Sequence, residues 1–87
     1  MIDLPPISAP VKRSVTINGH RTSVSLEDAF WSALKRAADS RRMTRAALIS
    51  QVDHRRPPDV GLATALRLFA LSEAGREAAP EPLDPPN

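Results

Sequence analysis

Polar and apolar residues alternate from Lys12 to Ile17 (KRSVTI) and again from His20 to Leu26 (HRTSVSL). A period of two is that of a strand with one buried face. Asn18-Gly19 lies between the segments and suits a type I′ turn, in which both central residues need positive φ. The two strands are predicted to pair with Ile17 opposite His20, Val15 opposite Thr22 and Arg13 opposite Val24. That register gives Val15, Ile17, Thr22, Val24 and Leu26 one face, expected to bury against helices. Lys12, Ser14, Thr16, Arg21, Ser23 and Ser25 take the other, which is basic and hydroxylic.

After Leu26 the period changes to that of a helix. Phe30, Trp31, Ala33, Leu34, Ala37 and Ala38 share a stripe over Glu27 to Ser40. Ser25 is the expected N-cap, with Asp28 three residues on as a capping-box variant, and Glu27 and Asp28 suit the helix dipole. Arg41-Arg42-Met43 reads as a connection. Thr44 is the expected N-cap of a second helix, Arg45 to about His54, burying Ala46, Leu48, Ile49 and Val52. Pro57-Pro58 stops it. A third helix is predicted from about Val60 to Ala78. Its residues Leu62, Ala63, Leu66, Leu68, Phe69, Ala70 and Leu71 are too widespread for one core face, and imply a further contact.

Composition sharpens this picture at the ends. Residues 1–10 (MIDLPPISAP) and 80–87 (PEPLDPPN) are proline-rich and lack a helical period. They are read as an unfolded arm and tail around a single domain at 11–79. So small a core is marginal for one chain. There is no cysteine, and only two histidines, so neither disulfides nor a metal cluster is expected to stabilise it, and no cofactor is expected. Self-association is the remaining stabiliser. No apolar run approaches the ~20 residues of a membrane helix, and no secretory signal is read at the start. A cytoplasmic, nucleoid-associated location and no membrane partner are expected.

Net charge is only +2, but it is segregated. Residues 11–56 hold ten Lys/Arg against four acids; the rest of the chain holds two against six. A basic body with acidic ends points to a polyanionic partner.

The order strand, helix, short turn, helix resembles the ribbon-helix-helix family, the fold of the Arc and methionine repressors. The carriers are TSVSL as strand, EDAFWSALKRAA as first helix, RRMT as turn and RAALISQV as second helix. The stretch KRSVTINGHRTSVSLEDAFW is similar to a bacterial subgroup with an extra N-terminal strand and a third helix. The resemblance implies a mainly α fold with a short β-ribbon, built as an intertwined homodimer through the ribbon and helices, plus a third C-terminal helix. It implies a sequence-specific binder of double-stranded DNA, a transcriptional regulator or repressor. Alternate strand side chains would read bases in the major groove, here Arg21, Ser23 and Ser25. Phosphates would meet the start of the second helix, with Thr44 and Arg45, and the neighbouring cations Lys12, Arg13, Arg41 and Arg42.

Two departures bear on this. Family members often have glycine where Arg42 stands, a left-handed position costing a side chain on the order of 1 kcal/mol. Pairing of the extra strand would also give a dimer four strands. At ~4.8 Å spacing these span about 14 Å, against a major groove about 12 Å wide. Either the first strand peels away, or the sheet lies across the backbone, or the surface binds something else. The alternative function is therefore a protein-interaction or antitoxin-like module, meeting its partner through the third helix or the C-terminal tail. Trp31 and Phe30 are expected in the core rather than as a stacking platform, and His20 on the turn surface. There is no phosphate loop, no dinucleotide fingerprint, no metal-helix motif and no histidine beside a nucleophile. No enzyme is expected.

Overall fold

The computed structural model describes residues 1–78; the 80–87 tail of the sequence reading lies outside them. Its elements are β1 (Val11–Ile17), β2 (His20–Leu26), α1 (Asp28–Ser40), α2 (Arg45–Arg55) and α3 (Leu62–Ala78). Residues 1–10 precede β1 in neither helix nor strand.

The hairpin follows its turn chemistry. Asn18 and Gly19 have φ of 51° and 80°, the two positive values that a type I′ turn requires. The register is the expected one, and it continues to Val11 opposite Leu26. That extension corrects the first cap. Ser25 pairs with Lys12 within the ladder, so it cannot turn the chain into a helix. The N-cap is Glu27, whose side chain makes no cap bond; its carbonyl accepts from Phe30 and Trp31.

Beneath the hairpin, Ile17, Val24 and Leu26 join Trp31, Leu34, Leu48, Ile49 and Leu66 in one core. Trp31 is 2% exposed, and its indole Nε1 donates to the Val11 carbonyl at 3.0 Å. The ring thereby fixes the start of β1 as well as filling volume. Thr22 shares the inward face but is exposed, lining an open concavity with Ile17, His20, Asp53 and Leu62. Ala46 is exposed too, not buried as its spacing suggested; it lies in the first turn of α2 and lines an open concavity with Arg13, Ser14 and Val15 of β1.

The connection after α1 is a Schellman motif. Arg42 donates to Asp39 O and Met43 to Ala38 O, each at 3.0 Å. Such a motif needs a left-handed residue, and Arg42 supplies it at φ 55°. Thr44 caps α2 as expected, its Oγ1 accepting from Ala47 N at 3.0 Å. After Arg56 come the two prolines, and α3 returns to pack on α1, α2 and β2. Its Leu66 and Ala70 are buried, whereas Leu68 and Leu71 are 59% and 68% exposed.

Candidate nucleic-acid interface

The outer face of the hairpin carries Lys12, Ser14 and Thr16 from β1 and Arg21, Ser23 and Ser25 from β2. All six are exposed. Their cross-strand pairs are Lys12–Ser25, Ser14–Ser23 and Thr16–Arg21. None of these side chains makes a hydrogen bond or ion pair among the described residues. The face therefore offers two cations and four hydroxyls with no internal use. In a hairpin with a two-residue turn the flanking pair exchanges backbone hydrogen bonds, so Arg21, Ser23 and Ser25 direct their N–H and C=O groups to the open edge of β2.

Arg13 has the opposite parity. It faces the helices, and its guanidinium lies 5.5 Å from the centroid of the Trp31 ring. Arg45, first residue of α2, lies 5.3 Å from the same ring and donates to the Trp31 carbonyl at 3.4 Å. Both cations gain from the negative face of the indole. With Ser14, Val15, Ala46 and Ile49 they line a concavity of about 450 Å³. Ser14 belongs to this concavity and to the outer face, so β1 joins the two. The N–H groups of Arg45 and Ala46 have no acceptor among the described residues, which leaves positive potential at the helix start. Arg42, exposed, precedes it.

Arg41 does not belong with them. Its Nη1 donates to Glu73 Oε1 at 2.8 Å and to the Ala37 carbonyl at 3.0 Å, and its guanidinium lies 5.6 Å from the Phe69 ring. It ties α1 to α3. The hydrogen bond from Arg41 holds the Glu73 carboxyl below its usual 4.5, and Glu73 in turn raises Arg41. Arg67 plays the same part at the other end of α1. It pairs with Glu27 at 3.0 Å, and its hydrogen bond lowers the Glu27 carboxyl. Arg67 Nη2 also reaches the Ser25 carbonyl at 3.5 Å, a contact at the limit of hydrogen bonding on the open edge of β2.

Five of the twelve Lys/Arg side chains are engaged by carboxylates. Lys35, Arg41, Arg56, Arg67 and Arg76 are ion-paired, and all five lie in or beside the helices. Lys12, Arg13, Arg21, Arg42 and Arg45, on the hairpin and the start of α2, have no carboxylate partner among the described residues, and neither do exposed Arg36 in α1 and Arg55 at the end of α2.

A family model described as a ribbon-helix-helix domain matches residues 10–74. The chain belongs to the ribbon-helix-helix domain family. Such domains are in general dimeric and serve as DNA-binding transcription regulators or antitoxins; they are typically not enzymes. No curated protein and no solved structure matches the chain. Within this ribbon-helix-helix chain the strand running into α1 is β2, and the strand beside it is the chain's own β1. Among the described residues no cluster of three or more His, Cys, Asp or Glu could hold a metal ion, and no helix is long and apolar enough to cross a membrane.

Two features escaped the sequence reading. The stacking of Arg13 on Trp31 was available from strand parity, because Arg13 opposite Val24 must share the Val24 face. The pairs Arg67–Glu27 and Arg41–Glu73 join residues 40 and 32 positions apart, and no local pattern announces such pairs.

Proposed function

We propose that this chain is a sequence-specific DNA-binding regulator that works as a homodimer in the bacterial cytoplasm. The observation that carries the reading is the outer hairpin face, where Arg21, Lys12 and four hydroxyl side chains stand exposed and without partners among the described residues. Base edges in the major groove present donors and acceptors that suit these groups, and an arginine there bonds guanine O6 and N7 together. Arg13, Arg42, Arg45 and the free N–H groups of α2 would meet phosphates beside the groove, with Thr44 holding the helix start in shape. Arg41 contributes structure rather than phosphate contact. Residues 1–10 and 80–87 are proposed as an arm and a tail outside the DNA-binding unit.

The test is titration of a labelled duplex across a salt series. Affinity should fall with salt at a slope near −0.9 per phosphate neutralised. Absence of duplex binding at low salt would overturn the reading.

A second reading rests on a different observation. A largely apolar groove of about 510 Å³ runs between α2 and α3, lined by Leu48, Val52, Pro57, Val60, Leu68 and Phe69 together with Arg41, Gln51, Arg55 and Arg56. Together with exposed Leu68 and Leu71 it favours an antitoxin-like module that captures a protein. Loss of partner capture, but not of duplex binding, in a Leu68→Ser variant would assign this groove a separate role.

A further inference from the structure

We propose that residues 1–7 of one copy lie as an extended arm in the α2–α3 groove of a second copy and clasp the homodimer. The inference rests on the homodimer of the reading above. It adds a contact separate from the hairpin and leaves both strand edges free to pair.

The large apolar side chains left in solvent fall into two groups. Met1, Ile2, Leu4 and Ile7 belong to the arm, and Leu68 and Leu71 stand on α3. A single exposed leucine needs no explanation, but four such side chains within seven residues mark a surface that meets another.

The arm's composition gives it a shape. Pro5 and Pro6 fix their own φ, and each forces the residue before it into an extended conformation. A chain so biased takes the polyproline II form, with three residues per turn and no internal hydrogen bonds. Met1, Leu4 and Ile7 then share one face, over about 19 Å at ~3.1 Å per residue. Asp3, the arm's one charged side chain, lies off that stripe.

The groove complements this stripe in both apolar surface and charge. Its volume of about 510 Å³ is in the range that holds a ligand. Leu48, Val52, Leu68 and Phe69 form its apolar wall, and a proline-rich segment docks against an aromatic-lined groove at low ordering cost. Three arginines also line it. Arg41 is paired with Glu73 and Arg56 with Asp53. Arg55 has no carboxylate partner among the described residues, and Asp3 has no cation. Asp3 on an arm seated in the groove supplies the acid that Arg55 lacks.

Placement favours the arm of a second copy over the chain's own. The arm leaves the fold at Val11, whose carbonyl is tied to Trp31 near the start of α1. The groove reaches Arg41, the C-cap of α1, and Arg55 and Arg56 at the end of α2. These last two neighbour Asn18 in the hairpin turn. Val11 and the turn are at opposite ends of β1, about 20 Å apart at ~3.3 Å per residue. All ten residues before β1 are exposed on their own chain. Antiparallel pairing of two copies along β2 carries the second copy's Val11 toward the first copy's turn, and its arm toward this groove.

The experiment uses the absence of cysteine from the chain. Full chains carrying Leu4→Cys are mixed with full chains carrying Leu68→Cys under mild oxidation, and disulfide-linked peptides are mapped by mass spectrometry. Leu4→Cys mixed with Ser32→Cys, an exposed position on α1, is the control. Position 4 is expected to link to position 68 about tenfold more than to position 32, because docking raises their effective concentration. Asp3→Arg in the first chain is expected to lower that linkage about threefold, and Arg55→Asp in the second to restore it. All these positions are exposed, and melting curves check that each variant remains folded. Linkage no greater than the control, with sedimentation still showing a dimer, overturns the inference and leaves the groove to a foreign protein, while the homodimer stands. A Leu4→Cys/Leu68→Cys variant that links only within one chain overturns it too, since the arm then fills its own groove. Sedimentation showing monomer alone removes the homodimer reading and this inference with it.

Discussion

The outer hairpin face of this protein and the seams of its third helix treat arginine in opposite ways. In the body, Arg41 and Arg67 are drawn into carboxylates, and both of those carboxylates lie on other elements or their caps. On the outer hairpin face, Lys12 and Arg21 have no partner among the described residues, and the hydroxyls around them are equally free. Arg13 and Arg45 fall between these cases, resting on Trp31 without a carboxylate. Surface ion pairs add little stability, so the contrast matters less for the fold than for what each region has left to offer. Charge already paired makes a poor anion receptor. Charge set on a rigid strand with nothing to neutralise it makes a good one.

Substitutions can break this contrast, and the largest effect is expected at the residue joining the two regions. Trp31→Ala removes a side chain that fills the core and fixes β1, and should cost about 3–5 kcal/mol in denaturant unfolding. A cost below about 1 kcal/mol would mean that β1 is held by something other than the indole. Arg21→Ala should abolish about 1–3 kcal/mol of discrimination between DNA sequences and leave the melting temperature nearly unchanged; an equal loss on every sequence would reduce Arg21 to a phosphate contact.

Arg41 and Arg45 sharpen the contrast further, since the sequence treats them alike and the structure does not. Arg45→Ala should weaken binding to all duplexes and reduce the salt slope by about one. Arg41→Ala should lower the melting temperature and leave the salt slope as it was. The reverse outcome would place the anion-binding region at the α1–α3 seam.

Acid provides a milder test of the body. Glu27 and Glu73 are both held below the ordinary value of 4.5 by their arginines. Their contribution is complete above that value and is lost as pH falls through the lowered folded-state pKa. A Glu27→Gln/Glu73→Gln variant should therefore show a flatter decline of melting temperature below about pH 4.5 than the wild type. The smallest effect concerns the turn. Arg42→Gly relieves a side chain at φ 55° and should stabilise by about 0.5 kcal/mol, the left-handed cost less the added chain entropy of glycine.

Much of the fold was legible because its signals are local. Two alternating runs around Asn18-Gly19 set the hairpin and its register, and Thr44 announced the start of α2. The left-handed residue at Arg42 followed from the place where family members often have glycine. Legibility failed where a pairing overrode a local preference. Ser25 is a good capping residue, but the ladder to Lys12 kept it in the strand. Ala46 has the spacing of a core residue, yet it lies in the first turn of α2, where the chain provides no cover. In the candidate interface, side-chain parity placed the six outer residues correctly. The family pattern, which supplies only one strand, is what names Arg21, Ser23 and Ser25 for base reading. Arg41 was grouped with the phosphate contacts because its partner Glu73 lies far along the chain.

The central claim is that the outer hairpin face, and not the helical body, meets DNA. Amide chemical-shift mapping of the full chain during titration with a duplex tests this most directly. The account expects the largest shifts at residues 12–16, 21–25 and 42–46, with the groove around Val52, Val60 and Phe69 unmoved. Shifts concentrated in that groove, with the hairpin silent, would contradict it.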